Sequence, residues 1–423
     1  MIHSFSQLKY AMKTKKIFSI SLLLLVSSTV EAQGFQSREI TRNELEDKIS
    51  GYWIGQLTGN YFGFPFELLY NHKPVPFDVD KFFTSRNKGD VKINDGDQRG
   101  NMDVMVKYLG GAPSDDDHDL EFLTLHAVER YGLDITYEEI APMMAKHVNR
   151  MVWVSTKKAV DDIRNGAIPP NTGSKENNPY WNDLMASIST EIWGSFYPGM
   201  TQKAAGRAEW FGRITNDGYA VYLPKFYAAM YSAAFFESDY DKLIQIGLKQ
   251  VPEDNILYQG ILDVQKWSAE NPDWRDTRKL IYDKYYPKTN PDDLSSKVDA
   301  LPNGLMGVMS MIYSNSDFKE NLSIATSAGL DSDNQPATTG GLIGVMYGEK
   351  NLPKSYTMIY ANASRPFYDT YVNNTRDGLP TRTKISDIVD RICDIAEKAI
   401  IENGGQKRIN ENGETVYIIK TDF

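Results

Sequence analysis

Cysteine is almost absent from the sequence, and histidine is scarce. Cys393 is the single cysteine among 423 residues, so the chain forms no intramolecular disulfide and no thiolate cluster around a metal ion. Five histidines argue against a zinc site built from several imidazoles. A metal ion, if the protein binds one, must therefore be held by oxygen atoms, which hard divalent cations such as magnesium prefer.

Positive charge is also in short supply. Lysine and arginine together number 46 against 56 acidic residues, which gives a formal net charge of −10. Because phosphates and anionic membrane surfaces attract basic faces, this balance argues against a nucleic-acid or membrane-surface partner. A hydrophobic share of 41% is enough for a chain of this length to bury a sizeable core.

The N-terminal segment has the pattern of a secretory signal peptide. A basic stretch at residues 12–16 precedes an apolar run at residues 17–30, and small residues occupy the −3 and −1 positions of a cleavage site before Gln33. We predict a signal peptide at residues 1–32, with Met12 as the expected start, and export to a periplasm or out of the cell. The apolar run is short for a membrane span, and an N-terminal anchor helix is the alternative.

Helical periodicity dominates the rest of the chain. Helical patterns run, with loops between them, from about Leu120 to Ile400, whereas residues 71–113 are rich in turn-forming residues and are predicted as loop. A segment around residues 416–419, after the Asn412–Gly413 turn, indicates a hairpin. We predict one compact all-α domain over residues 38–423, with two helical domains as the alternative.

Glycines recur every fourth residue in the first helical segment, which extends from Asn43 to about Tyr70. This spacing places them on one face of a helix. Since each glycine costs roughly 1 kcal/mol in a helix interior, four in register predict a seam where a second helix approaches closely. The four residues are Gly51, Gly55, Gly59 and Gly63.

Acidic residues cluster at the beginning of one predicted helix. Asp115, Asp116, Asp117 and Asp119 fall within five residues, directly before the apolar Leu120. One or two of them would cap the helix and meet the positive end of its dipole. Four acidic residues are more than capping needs. Because adjacent like charges repel one another, a bound cation would stabilise such a cluster by offsetting the repulsion. Both interpretations, capping in a solvated loop and metal binding, stay open at this point.

A second acidic cluster, Asp331–Asn334, precedes a helix of small residues that includes Gly340, Gly341 and Gly344. Such a helix is expected to pack against close neighbours, so its acidic N-terminus would point into a crowded site. Buried carboxylates need partners. With so few histidines, metal ions or hydroxyl-bearing ligands are the expected partners, and helix capping is the alternative.

Together, and in this order, three segments resemble the ADP-ribosylglycohydrolase family, which includes the dinitrogenase-reductase-activating glycohydrolases. Gly55–Glu67 resembles the opening helix of the family, G-x-x-x-G-D-x-x-G-x-x-x-E, and Asp115–His118 falls where the family has T-D-D-T. Gly329–Asn334 falls where the family has G-G-D-T-D-T, and Trp193–Met200 resembles one branch of the family. The chain is identified as a divergent, exported member.

The resemblance implies a compact all-α helical bundle with a binuclear metal cleft. It implies two divalent cations, magnesium or manganese, and a small-molecule ribosyl or ADP-ribosyl substrate. Glu67 would lie at the rim of the metal site, and the residues that would take part in catalysis are Glu67, Asp117 and Asp331. Carried over by motif, the metal ligands would be Asp115, Asp116, Asp117, Asp331, Asp333 and Asn334.

Four positions depart from the family motifs at the site. Asn60 replaces an aspartate, Asp115 and His118 replace the two threonines of T-D-D-T, and Asn334 replaces the last threonine. Asp115 and Asn334 keep oxygen atoms that reach a hard cation, so the predicted metal binding survives. Three roles are open for His118: a general acid, a residue that orients the metal ligands, or a charge-paired structural residue. The departures leave the substrate more open than the chemistry.

The predicted function is metal-dependent hydrolysis of the N- or O-glycosidic bond at the anomeric carbon of ADP-ribosyl or related ribosyl substrates. Two cations would hold ribose hydroxyls and a water, a ligand aspartate or Glu67 would deprotonate that water, and carboxylates would stabilise an oxocarbenium-like transition state. The alternatives are a non-catalytic sugar- or nucleotide-binding or structural protein with the same fold, and an unrelated helical enzyme with a metal-free carboxylate pair. Candidate stacking platforms, if they are not core residues, are Trp181, Trp193, Phe196 and Tyr197.

Overall fold

A buried helix, α1 (Arg42–Gly63), lies at the centre of the molecule, in a computed structural model that describes residues 36–361 and 364–423. The helix begins where Thr41 and Glu44 form a reciprocal capping box, and every residue at positions 49–63 is buried. The predicted signal peptide and its cleavage site lie outside the described residues.

Helices make up most of the described chain, which confirms the predicted all-α class. No helix in this part of the chain is long and apolar enough to cross a membrane. In chain order the helices are α1 (Arg42–Gly63), α2 (Met102–Leu109), α3 (Asp116–Tyr131), α4 (Tyr137–His147), α5 (Val154–Arg164), α6 (Met185–Ile188), α7 (Ile192–Phe196), α8 (Thr201–Gly212), α9 (Tyr222–Ala234), α10 (Tyr240–Leu248), α11 (Ile256–Glu270), α12 (Trp274–Tyr285), α13 (Leu294–Lys297), α14 (Ala300–Ser314), α15 (Phe318–Ser327), α16 (Asn334–Tyr347), α17 (Lys354–Thr357) and α18 (Ile385–Glu402).

Two small three-stranded sheets accompany the helices, in the orders β1-β6-β5 and β2-β3-β4. The hairpin of β5 and β6 confirms the turn predicted at Asn412–Gly413, and β1 pairs with β6 so that Ile40 lies opposite Tyr417. The second sheet was missed because two or three residues are too few to show an alternating pattern. The strands are β1 (Gln36–Thr41), β2 (Ala112–Pro113), β3 (Thr370–Val372), β4 (Arg382–Lys384), β5 (Gln406–Ile409) and β6 (Thr415–Thr421).

The predicted glycine seam is present, and its partner is α16. A methyl group added to any of the four glycines would overlap main-chain atoms of the facing segment, so the two backbones are in direct contact. The nearest atom to each added Cβ would be a carbonyl oxygen of the facing segment. At Gly51 it is that of Gly344 at 2.1 Å, at Gly55 that of Gly340 at 2.3 Å, at Gly59 that of Pro336 at 1.9 Å, and at Gly63 that of Ser332 at 1.8 Å.

The seam fixes the second acidic cluster against the end of α1. Gly63 contacts Ser332, which stands between Asp331 and Asp333. The parallel pair of β2 and β3 fixes the first cluster in the same way, since the Ser114 amide donates to the Val372 carbonyl oxygen at 2.8 Å. The predicted loop at residues 71–113 is largely irregular, apart from a 3-10 turn (Arg99–Asn101), α2 and the two-residue β2, which the sequence did not indicate.

Candidate metal centre

Carboxylates from three parts of the chain converge where α1, α3 and α16 meet. Carboxylate oxygens of Asp115, Asp117 and Asp333 lie within 4.8 Å of one another, and so do those of Glu67, Asp331 and Asp333. Asp333 belongs to both groups, so the two sets of oxygen atoms share one side chain. This arrangement suits two neighbouring hard cations with a common ligand.

Helix capping does not explain the two clusters. Asp115 and Asp333 occupy the N-cap positions of α3 and α16, yet neither side chain accepts a cap hydrogen bond from its helix. Their carboxylates face the other acidic groups instead. The capping interpretation, which the sequence left open, therefore does not hold at these two positions.

Asn60 on α1 holds three of the carboxylates. Its amide nitrogen donates to Asp117 at 2.8 Å, to Asp115 at 3.0 Å and to Asp333 at 3.3 Å. Asn334, predicted as a metal ligand, donates its own amide nitrogen to Asp117 at 3.0 Å. Two amides thus offset part of the repulsion among the acidic groups. The sequence showed Asn60 as a departure from the family but did not reveal this role.

A backbone hydrogen bond and a strained turn position the second acidic cluster, Asp331–Asn334. The Asp331 amide donates to the Asn303 side-chain oxygen at 3.1 Å, and Leu330 has a φ of +64°. A left-handed backbone is costly for leucine and easy for glycine, which accounts for the glycine that the family motif has at this position. The Leu68 amide holds the turn by donating to the Leu330 carbonyl oxygen at 2.9 Å.

A cavity of about 580 Å³ opens over the carboxylates. Asp116, predicted as a ligand, lines this cavity together with both carboxylate groups but belongs to neither. The cavity is large enough to enclose a small-molecule ligand. Its acidic part is continuous with an apolar part that includes Trp153 and Leu294.

Burial and mutual repulsion raise the pKa values of the clustered carboxyls. Removal from water raises the pKa of Asp115, Asp331 and Asp333 well above the ordinary value, and neighbouring carboxylates raise it further. Burial raises the pKa of Glu67 to about 7, although the nearby Arg99 opposes the shift, and raises that of Asp117 to about 7. In the absence of cations the cluster therefore retains protons near neutral pH.

We expect the metal-free protein to lose stability as the pH rises from about 4 to about 8. Glu67 and Asp117 bind protons more tightly in the folded than in the unfolded chain, so unfolding releases protons in this range and the free energy of unfolding falls by roughly 2–4 kcal/mol. Urea unfolding in a chelator at several pH values measures the fall. Millimolar manganese should remove most of it, because cations replace the protons. A flat profile in chelator would contradict this electrostatic account.

His118 lies away from the cavity. Its ring is fully buried, and its Nδ1 atom is hydrogen-bonded to the Tyr371 hydroxyl at 3.0 Å. Burial lowers the pKa of His118 to about 3, so the ring is neutral. These contacts favour a structural role without charge pairing. The charge pair of this segment is instead Asp119 with Arg376, whose buried side chains meet at 2.7 Å.

The aromatic platforms suggested from the sequence lie elsewhere. Trp193 and Phe196 are fully buried, and none of the four candidates is among the described residues that line the cavity. Trp153 lines it instead, with half of its surface exposed. Its place before α5 carried no signal in the sequence, because one aromatic residue at the beginning of a helix is an ordinary feature.

Comparison with known proteins agrees with the fold and the motifs. Residues 41–396 match the sequence model of a protein family described as "ADP-ribosylglycohydrolase". A solved structure titled "ADP-ribosylglycohydrolase-related protein complex" superposes with a TM-score of 0.51 at 12% identity, over 84% of this chain and 99% of that chain. At this identity the likeness shows the fold alone. The comparison with curated proteins gives no match.

Proposed function

Because the chain belongs to the ADP-ribosylglycohydrolase family, we propose that it is a metal-dependent glycohydrolase that cleaves the anomeric bond of ribosyl or ADP-ribosyl substrates. The observation that carries the proposal is the pair of carboxylate groups that share Asp333 at the floor of the cavity. Apart from Glu67, which pairs with Arg99, the carboxylates of the two groups neither cap a helix nor form an ion pair with a basic side chain among the described residues. A scaffold protein would have no use for them.

The donor set fits magnesium or manganese. All its charged groups are carboxylates, and no histidine or cysteine is present among the described residues of the cavity lining. Among the described residues the buried Asp333 Oδ1 atom has no hydrogen-bond partner, which a cation bound to this oxygen would explain. Bound divalent cations would supply the positive charge that neutralises this cluster and acidifies a water molecule. Asp115, Asp117 and Asp333 would hold one cation, and Glu67, Asp331 and Asp333 the other.

The protein groups have separate tasks in this mechanism. Glu67 would accept the proton of the attacking water with the carboxylate oxygen that does not hold the cation. In the protein without bound cations, burial raises the pKa of Glu67 to about 7. Arg99, 3.3 Å from the Glu67 carboxylate, orients this base. Asp117 and Asp331 face the positive charge that develops at the anomeric carbon and lower its energy.

The test is release of free sugar from a substrate panel. The purified protein is incubated with ADP-ribosyl-arginine, ADP-ribosyl-serine, O-acetyl-ADP-ribose and nucleosides, in magnesium or manganese and after chelation. We expect release from at least one of them with metal and none after chelation. No release from any, together with no metal bound to the purified protein, would favour a non-catalytic binding or structural role.

Restoring the aspartate of the family at position 60 should change metal dependence. Asn60→Asp adds a fourth carboxylate beside Asp115, Asp117 and Asp333 and removes their shared donor. We expect the metal-free protein to lose roughly 2–4 kcal/mol of stability, and manganese to bind about tenfold more tightly.

Unfolding and metal titrations measure both effects, with the exposed Asn412→Asp as the matched control. Unchanged values in Asn60→Asp would show that the amide does not organise the cluster.

We further propose export, on the basis of the signal-peptide pattern in residues 1–32. Mass spectrometry of the mature protein from its native host should find an N-terminus at Gln33. An intact N-terminus in the cell-associated protein would contradict export by cleavage.

A further inference from the structure

The cavity offers almost no free positive charge. Eight of the described residues that line it are acidic, and one, Arg99, is basic. The charge of Arg99 is already paired, because its guanidinium forms ion pairs with Asp97 at 2.6 Å and with Glu67 at 3.3 Å. Eight carboxylates less one guanidinium leave seven formal negative charges, of which two divalent cations would neutralise four.

The helix N-termini at the cavity carry negative charge as well. A free N-terminus is a natural phosphate site, because its backbone N–H groups point outward. At α5 the Ser155 amide instead donates to the Asp183 carboxylate at 2.9 Å, and the Ser155 hydroxyl donates to it at 2.7 Å. The N-termini of α3 and α16 carry the two acidic clusters. A carboxylate thus accepts from the N-terminus of α5, and carboxylates place negative charge beside the N-termini of α3 and α16, which disfavours a diphosphate at all three.

The remaining part of the lining is apolar. Ten of the described lining residues are apolar, and Met151, Trp153 and Leu294 are each more than a third exposed. Met151 and Trp153 also line a neighbouring cavity of about 260 Å³, so their exposed surface is shared between the two. Apolar surface at a cavity favours a ligand with an apolar face. Among these residues Trp153 offers the largest planar surface.

The Trp153 segment is held in a strained conformation. Met151 has a φ of +46° and Val154 a φ of +30°, which are unfavourable for side chains of these types. Arg376 anchors the segment by donating to the Arg150 carbonyl oxygen at 2.8 Å, while it pairs with Asp119 on α3. Strain that is maintained by such an anchor indicates that the position of the indole matters.

We propose that this site takes an uncharged riboside whose leaving group is a planar ring, and that it discriminates against substrates that carry a diphosphate. Trp153 stacks on the ring, and the net negative lining repels phosphate. The inference rests on the proposed glycohydrolase function and narrows its substrate class to nucleoside-like or aryl ribosides.

The first test compares substrates that differ only in the substituent at the 5′ position. Both anomers of p-nitrophenyl ribofuranoside, with their 5′-phosphates and 5′-diphosphates, share one leaving group. In excess magnesium, kcat/KM should fall at least about tenfold from the neutral compound to the diphosphate. Equal or better hydrolysis of the diphosphate, or of ADP-ribosyl substrates, would overturn the inference and leave the proposed function intact.

Calorimetry keeps the two proposals separate. If no substrate is hydrolysed, the proposed function fails, and the binding constants of inosine and inosine 5′-diphosphate in excess magnesium still decide the charge preference. Inosine should bind at least about tenfold more tightly. Tighter binding of the diphosphate would overturn the inference.

The second test concerns Trp153. Trp153→Ala should raise KM for the aryl riboside about tenfold, with kcat nearly unchanged, and should leave KM for methyl riboside unaltered. Trp153→Phe should restore most of the loss, and the exposed Tyr108→Ala is the matched control. An equal effect on both ribosides would show that Trp153 is merely structural and would overturn its assignment.

Discussion

Replacing Asp333 by alanine is expected to abolish metal-dependent hydrolysis while the fold is retained. Asp333 is the one carboxylate that belongs to both groups, so its removal deprives both predicted cations of a ligand. We expect kcat/KM to fall by at least about 10³-fold, which is the scale of losing electrostatic stabilisation at a reacting centre. Product release measured over a magnesium series gives the value.

The same substitution should cost little stability in the absence of metal. The Asp333 side chain does not cap α16, and its carboxylate lies among like charges. Its removal relieves repulsion, so the metal-free variant should unfold at or above the wild-type midpoint in chelator. The exposed Asp254→Ala is the control for loss of one charge. Near-normal turnover in Asp333→Ala would refute the shared-ligand arrangement.

Gly59→Ala is expected to produce a large loss of stability. The added methyl carbon would lie 1.9 Å from the Pro336 carbonyl oxygen, and main-chain atoms on both helices have no room to yield. We expect a loss of at least about 3 kcal/mol, and a fall of at least about 4 °C in the thermal midpoint. Asp331 and Asp333, which directly precede α16, would shift with the helix, so metal binding should weaken as well.

Gly206→Ala is a matched control for this effect. Gly206 lies in α8, is exposed, and has no neighbour within 4 Å of an added Cβ atom. Because alanine favours helix more than glycine does, this variant should gain roughly 0.5–1 kcal/mol. Calorimetric scans of both variants test the seam. Similar stabilities for Gly59→Ala and the wild type would show that the helices can separate at no cost.

The sequence predicted those features that depend on residues repeated at a fixed spacing or clustered along the chain. Helical periodicity indicated most of the longer helices, and the spacing of Gly51 to Gly63 indicated a close helix partner before that partner was known. The two acidic clusters were expected to form one site, and the structure brings Asp115, Asp117, Asp331 and Asp333 together with Glu67. Their roles as metal ligands and catalytic groups stay predictions.

Single residues with long-range partners could not be predicted. Asn60 holds Asp115, Asp117 and Asp333, which lie at least 55 positions away, and no local pattern marks such a contact. Trp153 reaches the cavity through a strained turn that depends on Arg376, more than 200 residues later. Within the stretch of helical patterns from about Leu120 to Ile400, residues 185–196 form two short helices, α6 and α7, because tertiary contacts override weak local preference.

The most direct test of the central claim is a crystal structure of the protein in manganese, with anomalous scattering measured above the manganese edge. We expect two anomalous peaks in the cavity, one against Asp115 and Asp117 and one against Glu67 and Asp331, with Asp333 contacting both. The absence of any peak at these carboxylates, at a manganese concentration that supports turnover, would contradict the account.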